Sequence, residues 1–398
     1  MVPPVAEQRA TAVARQGAHA LPRPGRLAGE VIHVEDGRHA PLYTACSPEP
    51  GAPEAMSRHL ERRLLRLFST LPRPLQQAVA WRREVDGQVL LPALTLGLAY
   101  LRLTSRPLEA AGVAAARAST RAQAADFGRP EPLPLSMVSE GTLPGPAGPL
   151  RYRRYYPAPR RPMEPVLLYF HGGGFVVGDL DTHDGVCRHL AARSGVQVIA
   201  VDYRLAPEAP FPAAFDDALA AFRWARDTGE AQGILCDRVA VGGDSAGGNL
   251  AAAVSLAAVR AGEPGPAFQL TLYPMVDAVE RRRSFALFGD GFGLDVSTID
   301  WFLDHYTGPD ADRADLRLSP LLADDLSGLP PAYVAAAGFD PLRDEAAAWA
   351  QRLRGANVPV EYVCHQGLIH AFANLAAALP EAAEALDRAA DALAAALR

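Results

Sequence analysis

The sequence predicts an α/β fold: a mostly parallel central sheet flanked by helices, with a helical cap. Three observations predict it. From about residue 135 onward, short apolar runs bounded by Gly, Pro or Asp alternate with segments of helical period, the pattern of a parallel sheet covered on both faces. Before residue 135 only the helical period is seen. At 398 residues with 49% hydrophobic side chains, the chain is long enough to bury a large core.

Residues 1–57 are rich in Pro, Ala, Arg and Gly and have no sustained periodicity, so they are expected to be disordered. Met56 stands directly before the first helical pattern, as an extension of a shorter product would place it. Residues 58–134 are assigned to a helical cap segment without strands. Leu60, Leu64, Leu65, Leu67 and Phe68 recur at helical spacing until Pro72 and Pro74, and further helices are expected over 92–103 and 110–125. The catalytic domain is assigned to 135–398. Its expected strands are Val166–Phe170, Val196–Val201, Val239–Val241, Leu270–Tyr273, Tyr333–Ala337 and Val360–Val363. Helical patterns over 215–225, 246–261 and 344–354 lie between them. Residues 278–318 break the rhythm with charged and aromatic residues and are expected to form a second cap insertion above the sheet.

Composition excludes several classes. The net charge is −6, all 39 basic residues are Arg, and the basic blocks are short, so no nucleic-acid partner is expected. Cys46, Cys187, Cys236 and Cys364 form no C-x-x-C pair, which suggests neither a disulfide scaffold nor a zinc site and suits a reducing cytoplasm. The most apolar stretch, Val89–Leu103, is interrupted by Pro92, Gly97 and Arg102 and is too short to span a bilayer. No signal-peptide core is seen.

The chemistry starts at Gly243-Asp244-Ser245-Ala246-Gly247. A lone G-x-S-x-G arises by chance in about one chain in seven of this length. Here it joins a strand to a small-residue helix, the setting of a strained turn that lifts a serine hydroxyl above a sheet. His171-Gly172-Gly173-Gly174 follows another strand and is the donor-loop type of lipases and esterases. The N–H groups of Gly173, Gly174 and Ala246 are the candidates for an oxyanion hole, and His171 is expected to shape the loop. A nucleophilic serine needs a base and an orienting carboxylate, in chain order Ser, acid, His. Of the histidines after Ser245, namely His305, His365 and His370, the last lies in a loop between a strand and a helix. Asp340 precedes Pro341 at the end of a strand, whereas Asp344, its main competitor, falls in a helical first turn.

These stretches resemble the bacterial hormone-sensitive-lipase-like esterases, family IV carboxylesterases of the α/β-hydrolase superfamily. The likeness runs from His171–Phe175 and Gly178-Asp179 through Asp202–Glu208 and Gly243–Asn249 to Asp340–Asp344 and Ile369-His370. It implies a Ser245–Asp340–His370 triad, an oxyanion hole at Gly173, Gly174 and Ala246, and hydrolysis of short- to medium-chain carboxylic esters through an acyl-enzyme. By the same likeness no metal or cofactor is needed, the substrate is a small-molecule ester, a homodimer is common, and Arg204 with the neighbouring acids forms a buried ion network. The family usually has Gly after the triad histidine, where this chain has Ala371. Two rival readings are an amidase or deacetylase on the same triad and a non-catalytic ligand receptor, from which the triad histidine is typically lost.

Overall fold

The computed structural model describes residues 68, 71–104, 107–127, 133–309 and 311–398. The disorder expected of residues 1–57 and nearly all of the helix expected from Leu60 lie outside them.

The cap segment holds helices α1 (Arg73–Val79), α2 (Pro92–Thr104) and α3 (Val113–Phe127). It is not strand-free as expected. A two-stranded antiparallel ribbon, β1 (Glu84–Val85) and β2 (Gln88–Val89), stands between α1 and α2. Its turn is Asp86-Gly87, both at positive φ (57° and 72°), the conformation a two-residue hairpin requires.

The remaining strands form one sheet: β3 (Leu135–Gly145), β4 (Gly148–Pro157), β5 (Glu164–Phe170), β6 (Gln197–Val201), β7 (Ile234–Asp244), β8 (Phe268–Leu272), β9 (Ala332–Phe339) and β10 (Val360–Ile369). Their order is β10-β9-β8-β7-β5-β6-β4-β3. The six strands from β5 to β10 are mutually parallel, and the antiparallel β3–β4 hairpin continues the sheet beside β6. The hairpin begins at Leu135, where the catalytic domain was expected to begin. It carries Arg151, Arg153 and Arg154 with Pro144, Pro149 and Pro157 and no long apolar run, so the sequence pattern does not mark its strands.

Alternate side chains of the parallel strands enter two separate layers. Leu167, Tyr169, Leu270 and Ala335 pack with Leu190 of α4 (Asp184–Ser194) and with Leu386 and Leu393 of the C-terminal helix Pro380–Ala396. Val166, Leu168 and Val241 pack on the other side with Phe222 of α5 (Ala213–Thr228) and Leu250 and Val254 of α6 (Ala246–Arg260). Burial of such Leu, Val and Phe side chains contributes about 1.5–3 kcal/mol each. Because β5, β6 and β9 are covered on both faces, their interiors read as apolar runs, which is why the sequence locates them; β8 is as deeply buried but is interrupted by Gln269 and Thr271.

The expected insertion carries α7 (Arg283–Phe288) and α8 (Val296–Thr307). The cap touches it directly: Ser297 and Thr298 at the start of α8 donate to the Glu109 carboxylate at 2.7 and 3.1 Å. After β9 come α9 (Arg343–Gly355), then β10 and the C-terminal helix, α10. Among the described residues no helix is long and apolar enough to cross a membrane.

Candidate active site

Parallel pairing brings the carboxyl ends of β5, β7, β9 and β10 to one edge of the sheet, where α/β folds place their sites. His171 follows β5, Ser245 follows β7, Asp340 follows β9 and His370 follows β10.

Ser245 occupies the turn between β7 and α6 at φ 53°, ψ −117°. Such a backbone costs on the order of 1–3 kcal/mol and persists only where the surroundings fix it. The Ser245 N–H donates to Leu272 O at 2.9 Å, and its carbonyl accepts from Asn249 N at 3.0 Å. The flanking glycines are required by space. A methyl group on either Gly243 or Gly247 would land on the Phe170 carbonyl oxygen at the end of β5.

From the serine a line of hydrogen bonds runs inward. Ser245 Oγ lies 2.9 Å from His370 Nε2, and His370 Nδ1 lies 2.8 Å from Asp340 Oδ2. Asp340 is fully buried, and its other oxygen accepts the Leu342 N–H at 2.8 Å, so both its oxygens are engaged. The alternatives are drawn elsewhere. Asp344 accepts from Ser284 N and Arg343 Nε, which ties the acid loop to α7. His305 contacts Trp301 O within α8, and burial lowers the His365 pKa to about 4 beside Phe372. Ala371 adopts φ 60°, the left-handed backbone that explains the glycine usual there and costs an alanine about 1 kcal/mol.

Gly173 (φ 117°) and Gly174 (φ 59°) form the turn after β5, and Ala246 begins α6; a methyl group on Gly247 would meet His171 O, so the start of that helix lies against the same loop. His171 props this loop. Its Nδ1 lies 2.8 Å from Gly172 O, and its ring stacks on Tyr203 at 4.3 Å. Burial, with the neighbouring His183 next, lowers its pKa to about 4 and keeps it neutral.

Two buried acids escape motif reading. Asp244, inside the G-x-S-x-G segment, accepts from Gly172 N at 2.9 Å and Tyr169 Oη at 2.7 Å and lies 3.3 Å from His183 Nε2. Burial would raise its pKa, but His183 and these donors hold it below the usual carboxylate value. Glu345, fully buried in the first turn of α9, accepts from Val276 N at 2.7 Å. Burial pushes its carboxyl well above the ordinary range.

The expected ion network around Arg204 is corrected. Arg204 pairs with Asp217 of α5, through its backbone N–H at 2.9 Å and its guanidinium at 2.7 Å. Asp202 instead faces Arg151, and the exposed Glu208 binds Arg117 of the cap. A partner 13 residues away on a packed helix leaves no local pattern.

A small cleft is lined by the apolar Met275, Phe285, Ile299, Leu303 and Leu342 together with the charged Asp277, Glu280 and Arg281. Of these, Met275 donates its backbone N–H to Ser245 O at 3.3 Å. Among the described residues no cluster of three or more His, Cys, Asp or Glu is arranged to hold a metal ion.

A serine on a strand-to-helix turn, a buried His–Asp pair and a glycine loop thus stand together at the carboxyl edge of the sheet of an α/β-hydrolase fold. Residues 167–374 match the family described as having the alpha/beta hydrolase fold. The chain belongs to that family, in the hormone-sensitive-lipase-like branch that its motifs resemble. It is 45% identical to a carboxylic ester hydrolase of Mycobacterium tuberculosis, LipN, over 78% of this chain and 85% of that protein. It is 46% identical to an ethyl acetate hydrolase of Pseudomonas putida over 56% of this chain and 70% of that one. Among solved structures, an α/β-hydrolase enzyme from the metagenome of Lake Arreo in Spain superposes with a TM-score of 0.73 at 46% identity. That match covers 76% of this chain and 95% of the other. A thermostable esterase from Pseudomonas putida superposes with the same score at 36% identity, covering 77% and 97%.

Proposed function

We propose that this α/β hydrolase is a serine carboxylesterase that cleaves short- to medium-chain esters through an acyl-enzyme. The observation that carries the reading is the unbroken hydrogen-bond line from Ser245 through His370 to the buried Asp340. His370 takes the hydroxyl proton as Ser245 attacks the ester carbonyl, and Asp340 holds the imidazole tautomer and offsets the charge it gains. The N–H groups of Gly173, Gly174 and Ala246 receive the oxyanion. Each such donor, prearranged and shielded from water, contributes about 3–4 kcal/mol to the transition state. His370 protonates the leaving alcohol, then activates the water that releases the acid. The ester-cleaving names of relatives at 43–46% identity support the substrate class.

The cap segment and the 278–318 insertion roof the site in this reading, and their contact at Glu109 supports a joint lid that keeps water from the acyl-enzyme. The reaction needs a soluble ester and neither metal nor cofactor.

The experiment is hydrolysis of p-nitrophenyl butyrate by the wild type and by Ser245→Ala, with intact-mass detection of a fluorophosphonate adduct. We expect the substitution to abolish labelling and to lower kcat by at least ~10⁴-fold. Activity retained by Ser245→Ala would falsify the assignment.

A further inference from the structure

We propose that Phe302 is a specificity-determining residue, a ring set against the oxyanion loop that limits branching beside the ester group. The proposal rests on the reading of Ser245, His370 and Asp340 given above. Phe302 belongs to α8, in the insertion, yet it packs against a loop that follows β5 more than a hundred residues earlier. A methyl group built on Gly174 would land on the Cγ, Cδ1 and Cδ2 atoms of Phe302, and these ring carbons are the nearest atoms it would meet. The ring therefore lies directly over Gly174, and only a glycine lets it do so.

The position bears on substrate choice because Gly173 and Gly174 are the donors assigned to the oxyanion. A carbonyl oxygen seated on their N–H groups brings both of its flanking substituents close to the ring. A methylene can turn away from a flat wall, whereas a quaternary carbon presents a methyl group to it in every rotamer. The ring has little freedom to yield. Trp301 packs against it at 5.3 Å in an edge contact, and Trp301 in turn packs on His305 at 4.4 Å. The same helix supplies Ile299 and Leu303 to a small cleft that they share with Met275 and Leu342, so its packing is fixed on that side too.

The test compares the wild type, Phe302→Leu and Phe302→Ala on two matched pairs of esters. In one pair the acyl group branches (p-nitrophenyl acetate and pivalate), and in the other the alcohol branches (ethyl and tert-butyl acetate). Each enzyme is normalised to the fraction that a fluorophosphonate labels, so a loss of folded protein does not enter the comparison. We expect the branched-to-straight ratio of kcat/KM to rise at least tenfold in Phe302→Ala in one or both pairs. Phe302→Leu should fall between, and it decides the matter if the alanine variant does not fold. The pair that responds identifies the substituent under the ring. Ratios within twofold of the wild type in both pairs overturn the proposal. If the wild type itself neither labels nor cleaves the straight esters, the failure belongs to the esterase reading instead.

Discussion

A serine hydroxyl is a weak nucleophile until a base, an orienting acid and an anion site surround it, and each of these depends on residues that never touch a substrate. Asp244 is the clearest case. Its carboxylate takes the Gly172 N–H and so joins the turn that carries Ser245 to the loop that carries Gly173 and Gly174. Asp244→Ala should leave Gly172 N and Tyr169 Oη without their acceptor and let the donor loop drift. We expect kcat to fall about 10–100-fold with a much smaller change in KM, the mark of a group felt in the transition state. Asp244→Asn keeps an acceptor oxygen and should recover most of that loss; steady-state kinetics of the two variants would settle it. Glu345 gives a prediction of opposite electrostatic sense. Its pKa is raised in the folded protein, so above the unfolded value of about 4.3 folding must keep a proton that the unfolded chain releases. Wild-type stability from this group is present at low pH and lost as pH rises. Glu345→Gln, which carries no ionisable group, should therefore gain in stability relative to the wild type between pH 4.5 and 8 in urea unfolding. A constant difference across that range would contradict a buried neutral carboxyl. Ser245, Asp340 and His370 were legible from sequence because their neighbours fix the backbone locally. Asp244 and Glu345 were not, since their partners Gly172 and Val276 lie 72 and 69 residues away.

Elements were legible in proportion to how completely they are buried. Strands β5, β6 and β9 announce themselves as apolar runs because both faces meet helices, and β7 was found only at its buried end, Val239–Val241. Its first residues include Asp237 and Arg238, which are exposed, so the run is broken there. The β1–β2 ribbon escaped for another reason: two-residue strands carry no period, although Asp86-Gly87 is a strong turn signal in itself. Hairpin β3–β4 was missed in the same way, through its Arg and Pro residues. One of the elements that tie the cap to the catalytic domain is α3, and Arg117 is its anchor. Its guanidinium donates to Val176 O at 2.8 Å, Ala206 O at 2.9 Å and both Glu208 oxygens at 2.7 and 2.8 Å. Val176 lies just past the donor loop, so the cap is fastened to the segment it shelters. Arg121 adds a pair with Asp179 beside it. Arg117→Ala should cost about 1–2 kcal/mol, mainly through two carbonyls left without a donor, because the Glu208 pair is exposed and screened. Limited proteolysis should then cut residues 107–127 faster while the rest of the chain stays resistant. Equal cutting rates in variant and wild type would mean that α3 is held by its apolar face alone.

At the scale of the whole molecule, the sheet edge that collects the site also collects buried histidines, and these make stability depend on acid. His171 has a folded pKa of about 4, lowered by burial first and by His183 next, against an unfolded value of about 6.5. The folded protein excludes a proton that the unfolded chain accepts. The contribution is therefore complete well above pH ~6.5 and is lost as pH falls towards 4, the loss there amounting to about 3 kcal/mol for this one residue. His365, also near 4 through burial and the nearby Arg388, adds to the same slope. Glu345 works in the other direction, since its retained proton favours the folded state as pH falls, so the net curve is shallower than the histidines alone would give. The two effects separate by substitution. Replacing His171 with Gln removes a titrating group while leaving a polar side chain against Gly172 and Tyr203. The unfolding free energy of His171→Gln, measured in urea at pH 7.5, 6.5, 5.5 and 4.5, should fall less steeply than that of the wild type over the three lower points. The two curves should run nearly parallel between pH 6.5 and 7.5, where His171 is neutral in about half of the unfolded chains at the lower end and in nearly all at the upper. Curves that stay parallel down to pH 4.5 would show that the imidazole beneath the donor loop takes up its proton as readily folded as unfolded, and the packing of His171 on Tyr203 could not then be what holds that loop in acid.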